Sequence, residues 1–163
     1  MTRKMPKQKP GKSEQVVGTP REFLDAVVRR FGPIGHDLAA TRENSVIPSD
    51  GDDHFGPGSR LATDSLLADW TALSSDLLWL NPPFRKIGPW AKKCALHRDE
   101  KIALLVPLST SSWAVNYVFP FARVLGLFPR LVFEGHETSY PKDAMLAIYG
   151  SGWAPGFEVW KWK

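Results

Sequence analysis

Leu77-Leu78-Trp79-Leu80-Asn81-Pro82-Pro83-Phe84 is the stretch on which the fold turns. Its first half is an apolar run of strand length. Its second half cannot continue a strand, because two consecutive prolines lack N–H donors and hold φ near about −65°. Residues 85–97, which follow, have helical spacing, with Trp90 and Cys94 on one face. A buried strand, a sharp corner and a helix form the repeating unit of an α/β sheet, and in such sheets ligands bind at the carboxyl ends of the strands.

Outward from that corner the same alternation continues. Residues 102–106 are an unbroken apolar run bounded by charge and Pro107, as expected for a central parallel strand. Residues 34–40 read as a short strand. On the amino-terminal side, Thr19 as N-cap and Pro20 at the first helical position open a helix carrying Phe23, Leu24, Val27, Val28 and Phe31, which Gly32-Pro33 stops. On the carboxyl side, residues 109–113 cap a segment that Pro120 breaks. Residues 124–128, 131–133 and 144–149 then read as strands, a polar loop fills 135–142, and residues 158–163 form an edge strand. The expected fold is an α/β sheet, mostly parallel with an antiparallel end, in one domain over residues 18–163.

Residues 1–17 carry Arg3, Lys4, Lys7, Lys9 and Lys12 among Pro and Gly, and hold too few apolar residues to join a core. They read as a disordered basic tail, either solubilising or adding non-specific attraction to phosphate. Residues 45–62 are rich in Gly, Pro, Asp and Ser and read as a long loop. The formal net charge of +4 fits an anionic partner such as nucleic acid, although much of the excess lies in the tail. No run approaches the length of a membrane span and no apolar signal core follows the first basic residues, so the chain reads as soluble and cytoplasmic. The single cysteine, Cys94, excludes an intrachain disulfide and reads as a buried small hydrophobe; no Cys/His cluster has the spacing of a metal site.

The chemistry of the corner suits an exocyclic amine. Such an amine on a nucleobase has its lone pair delocalised into the ring and is a poor nucleophile. A site that alkylates it needs acceptors for the two hydrogens and a face for the ring. The Asn81 side-chain carbonyl and the Pro82 backbone carbonyl can be those acceptors, and Phe84 the face.

Asn81-Pro82-Pro83-Phe84 resembles the catalytic tetrapeptide of amino methyltransferases that use S-adenosylmethionine, of general form Asp/Asn/Ser-Pro-Pro-aromatic. With Thr19-Pro20, Asp37-Leu38-Ala39-Ala40, Asp64-Ser65-Leu66, Asp69-Trp70, Trp90 and Leu105-Val106-Pro107 in order, residues 18–149 resemble the small phage N-6-adenine DNA methyltransferases. The resemblance implies a Rossmann-like methyltransferase sheet and methyl transfer from S-adenosylmethionine to N6 of adenine in DNA. It implies that Thr19 and Pro20 pack against the methionine end of the cofactor and that Asp37, Ala39 and Ala40 form its first loop. Asp64 would then accept from the cofactor adenine, with the Ser65 backbone near its ring. Usual methyltransferases write the first loop with glycines, which are absent here. The acid expected at the cofactor ribose has candidates in Asp50, Asp52 and Asp53.

Several of these residues have a plainer reading as well. Asp64 can simply cap a short helix ending at Trp70. Arg85, Lys86, Lys92 and Lys93 can meet phosphates or form a solvated helix face. Thr110 and Trp113 can touch substrate or cap a helix. No residue separates adenine N6 from cytosine N4, an RNA base or a glutamine amide. A DNA-binding protein of the same fold without turnover also fits the glycine-poor loop.

Overall fold

The computed structural model describes residues 18–41, 44–47, 55–56, 64–71, 73 and 76–163. The basic tail, most of the 45–62 loop and its candidate ribose acids Asp50, Asp52 and Asp53 lie outside these residues.

Six strands form one mixed sheet: β1 (Ile34–Asp37), β2 (Leu77–Leu80), β3 (Ile102–Pro107), β4 (Arg123–Phe128), β5 (Ala144–Tyr149) and β6 (Gly156–Lys161), in the spatial order β1-β2-β3-β5-β4-β6. β1, β2 and β3 pair in parallel, β5 is antiparallel to both β3 and β4, and β6 returns parallel to β4. The antiparallel part is therefore β5 alone, and it lies inside the sheet.

Alternation along the strands divides the core between two faces. Leu77, Trp79, Ala103, Leu105, Leu125 and Leu146 pack against helix α1 (Arg21–Phe31) through Phe23, Leu24, Val27 and Phe31. Leu78, Leu80, Ile102, Leu104, Val124 and Met145 face the other way, onto α2 (Ile87–Leu96) and α3 (Ser112–Tyr117). The four residues of β2 are all buried, as befits a strand covered on both faces. Cys94 is fully buried in the second layer, where burial pushes its thiol pKa well up. An ion-pair network ties α1 to the far edge: Glu158 on β6 accepts from Arg123 at 2.6 Å and from Arg30.

Three expectations are corrected. Thr19 is not the cap of α1: Pro20, with φ −57° and ψ 132°, is the N-cap, its carbonyl accepts from Leu24 N–H at 3.1 Å, and the helix starts at Arg21. Residues 131–133 are not a strand, because their backbone groups serve a loop: Leu131 C=O accepts from Tyr140, Phe133 C=O from His136, and Glu134 N–H donates to Gly18 C=O. Residues 64–70 are turns, not a capped helix, and Asp64 Oδ1 accepts from Leu66 N–H, two residues on, at 2.9 Å.

Candidate active site

β2 ends at Leu80, and the prolines do what their geometry requires. Pro82 is buried, and the Pro83 carbonyl accepts from Lys86 N–H at 3.3 Å to close a 3₁₀ turn over Phe84–Lys86 that leads into α2. Asn81 lies on the α1 side of the corner. Its Nδ2 donates to Oγ1 of the buried Thr19 at 3.2 Å, across 62 residues of sequence. The segment preceding α1 thus supplies no side-chain cap, and its Thr19 hydroxyl instead orients the Asn81 amide. No hydrogen bond among the described residues uses the Pro82 carbonyl.

Phe84 is half-buried and meets two aromatic rings edge-on: Phe133 with centroids 6.2 Å apart and Tyr140 at 5.7 Å, which in turn lie 5.6 Å from each other. Both belong to the loop between β4 and β5. That loop is closed at its base by Tyr140 N–H on Leu131 C=O at 2.7 Å, and the Glu134 hydrogen bond to Gly18 fastens it beside Thr19. Burial raises the Tyr140 phenol pKa, and its hydroxyl makes no hydrogen bond among the described residues. Sequence reasoning read Tyr140 as part of a polar loop and Phe133 as a strand residue. Only the aromatic character of Tyr140, inside an otherwise polar stretch, could have marked it, and Phe133 carried no signal beyond its apolar run.

At the end of β1, Asp37 is buried and spends both carboxylate oxygens on the following loop. Ala39 N–H donates to Oδ1 at 3.2 Å and Val46 N–H to Oδ2 at 3.0 Å. Desolvation dominates its titration and raises its pKa to about 6, against the lowering effect of those two bonds. Asp37 therefore shapes the loop and does not point a charge outward. Ala40 N–H donates to Phe55 C=O at 3.1 Å and Phe55 N–H to Asp37 C=O at 2.8 Å. Gly56, at φ +152°, comes so close that an added Cβ would sit 2.0 Å from the Ala40 carbonyl oxygen. The glycine missing from residues 37–41 is in effect supplied by Gly56 opposite them.

Asp64 is exposed, Ser65 is buried, and both sit in the turns before Trp70, which packs with Leu38, Phe55 and Leu80. Lys93, read from sequence as part of a solvated helix face, is buried instead: its ammonium donates to the carbonyls of Ser65, Leu66 and Ala68. Arg85 and Lys86 are exposed on the 3₁₀ turn directly after Phe84. Thr110 is exposed in the loop after β3. Trp113 packs on the α2/α3 core, its Cβ 3.9 Å from where a Cβ of Gly88 would be, and no ring contact joins it to Phe84 among the described residues.

The structure therefore gathers Thr19, Asn81, Pro82, Phe84, Phe133 and Tyr140 at one corner, with Asp37, Ala39 and Ala40 at the end of the neighbouring strand β1, while residues 64–70 lie along α2 through Lys93 and the Trp70–His97 ring pair. No group of three His, Cys, Asp or Glu suited to a metal ion occurs among the described residues, and no helix there is long and apolar enough to cross a membrane. Neither the curated proteins nor the solved structures contain a match to this chain. The family model for DNA N-6-adenine-methyltransferase (Dam) matches residues 8–120, well over half the sequence, and ends before the loop that carries Phe133 and Tyr140. On that match, the chain belongs to the DNA N-6-adenine-methyltransferase family.

Proposed function

We propose that the protein methylates N6 of adenine in DNA with S-adenosylmethionine as donor, and that Asn81-Pro82-Pro83-Phe84 is its catalytic corner. The observation that carries this reading is the Pro82 carbonyl, unclaimed by any hydrogen bond among the described residues and set between an Asn81 amide oriented by Thr19 and a half-buried Phe84 ring.

The residues beside the corner fit the donor. Ala39 and Ala40 are small enough for the backbone to approach a ligand, the Thr19-Pro20 segment lies against the corner, and the exposed Asp64 carboxylate can accept from an amino group. When bound, S-adenosylmethionine supplies a methyl group already activated as a sulfonium. The chain's own work is therefore placement of the acceptor, and no base with a tuned pKa is required.

In a duplex the amine lies within the stack, so the target base must be extruded, at a cost of a few kcal/mol. Stacking on Phe84, worth about 1–3 kcal/mol, offsets part of that cost. The Asn81 and Pro82 carbonyls accept the two amine hydrogens and draw them out of the ring plane, which returns lone-pair density to nitrogen. Phe133 and Tyr140 hold Phe84 from its edges and keep its ring from turning away. Arg85 and Lys86, together with Thr110, are exposed and would meet the flanking backbone phosphates.

Incubation with labelled donor and mixed-sequence duplex DNA, followed by nucleoside analysis, tests this. N6-methyladenine is the expected product. N4-methylcytosine alone would transfer the site to the other base, and no labelled nucleoside despite donor binding would leave a DNA-binding protein without turnover.

A further inference from the structure

We propose that Lys93 is a positioning residue for the adenine end of the cofactor: from the buried side of α2 its ammonium holds residues 64–70 in the conformation that presents Asp64 and the Ser65 backbone. The inference rests on the reading above that these two residues face the donor.

The segment has neither a helix nor a strand ladder to hold its carbonyl groups. Those of Ser65 and Leu66 accept from Lys93 Nζ at 2.9 Å each, and that of Ala68 accepts from the same atom. An ammonium has three N–H bonds, and here each has a carbonyl. The Trp70 ring lies 4.6 Å from Nζ, a cation–π contact, and the indole N–H donates back to Ser65 O at 3.2 Å and Ser65 Oγ at 3.3 Å. Ser65 is therefore fixed by two residues, one from each side. Asp64, its neighbour, is turned by its own bond to Leu66 N–H.

Helix packing does not call for a lysine at this position. Ala91 and Cys94 beside it are fully buried in the apolar layer, where an uncharged side chain would serve. Burial lowers the Lys93 pKa, while the carboxylates of Asp64 and Asp69 act in the opposite direction and favour the charged form. A costly buried cation is thus retained where its carbonyl partners all belong to one segment, and that segment carries the proposed adenine contacts.

The test compares the full-length parent with Lys93→Met, Trp70→Phe and Asp64→Ala. Affinity for S-adenosylmethionine is measured by calorimetry, affinity for duplex DNA by fluorescence anisotropy, and hydrogen exchange of amides 64–70 on cofactor-free protein. Lys93→Met is expected to weaken cofactor binding by about tenfold, to speed exchange across 64–70, and to leave DNA affinity unchanged. Parental cofactor affinity in folded Lys93→Met overturns the inference. Should that variant fail to fold, Trp70→Phe, which keeps the ammonium and an aromatic ring but removes the indole N–H that tethers Ser65, is expected to weaken cofactor binding by about threefold; unchanged affinity there overturns it equally. Unchanged affinity in Asp64→Ala overturns the assignment of the segment and the inference with it. A loss in Asp64→Ala without one in Lys93→Met overturns the inference alone.

Discussion

Asp37 illustrates what a single buried side chain does to this protein. Its carboxyl pKa is raised from 3.8 to about 6 because burial penalises the charge more than two backbone N–H groups favour it. A raised folded-state pKa means that the folded chain binds this proton more tightly than the unfolded chain. The associated stability is complete below 3.8 and is lost as pH climbs through about 6, an effect on the order of 3 kcal/mol from the size of the shift. Carbon-detected NMR of the Asp37 carboxyl should therefore give a titration midpoint near 6. A midpoint near 4 would contradict the dominance of burial over the two N–H bonds. Glu158 moves the other way, its pKa lowered by hydrogen bonds from Arg123 and Arg30, so its contribution is present at neutral pH and fades on acidification.

At the level of elements, the first loop depends on a segment remote from it in sequence. Replacing Gly56 with Ala places a methyl 2.0 Å from the Ala40 carbonyl oxygen, at a φ of +152° that side chains rarely adopt. Gly56→Ala is expected to weaken cofactor affinity by about tenfold or more while sparing DNA affinity, as measured by calorimetry and anisotropy. The strands β2, β3, β4 and β5 could be read from sequence because their residues are apolar throughout or nearly so, and the corner could be read because proline chemistry is local. The misreadings share one cause, which is competition from distant partners. Thr19-Pro20 looks like a cap, yet the Thr19 hydroxyl accepts from Asn81. Residues 131–133 have strand composition, yet their carbonyls accept from His136 and Tyr140 within one loop. Lys93 looks solvated on a helical wheel, yet three carbonyls from a preceding segment enclose its ammonium. Tyr140 is the plainest case, since nothing in its local sequence points to Phe84, 56 positions before it.

For the whole molecule, the amino-terminal two thirds carry the family match, while the β4–β5 loop beyond residue 120 supplies the rings that brace Phe84. The surroundings of Phe84 thus combine residues from inside and outside the matched region. Arg85 and Lys86 are exposed on the 3₁₀ turn that begins at Phe84. If both meet phosphates, changing them to Ala should lower the magnitude of the slope of log K against log salt by about 2 and weaken DNA binding alike on all sequences. An unchanged slope would place the phosphate path elsewhere on the surface.

The central claim is that the Asn81 carbonyl prepares the amine at the corner, and Asn81→Ala tests it most directly. Single-turnover transfer of labelled methyl to adenine-containing duplex should fall by about 100-fold or more, the scale expected for losing one preorganised polar contact. Cofactor affinity should stay within about twofold of the parent, because the lost contact acts on the amine and not on the donor. A variant that transfers methyl as fast as the parent would contradict the account.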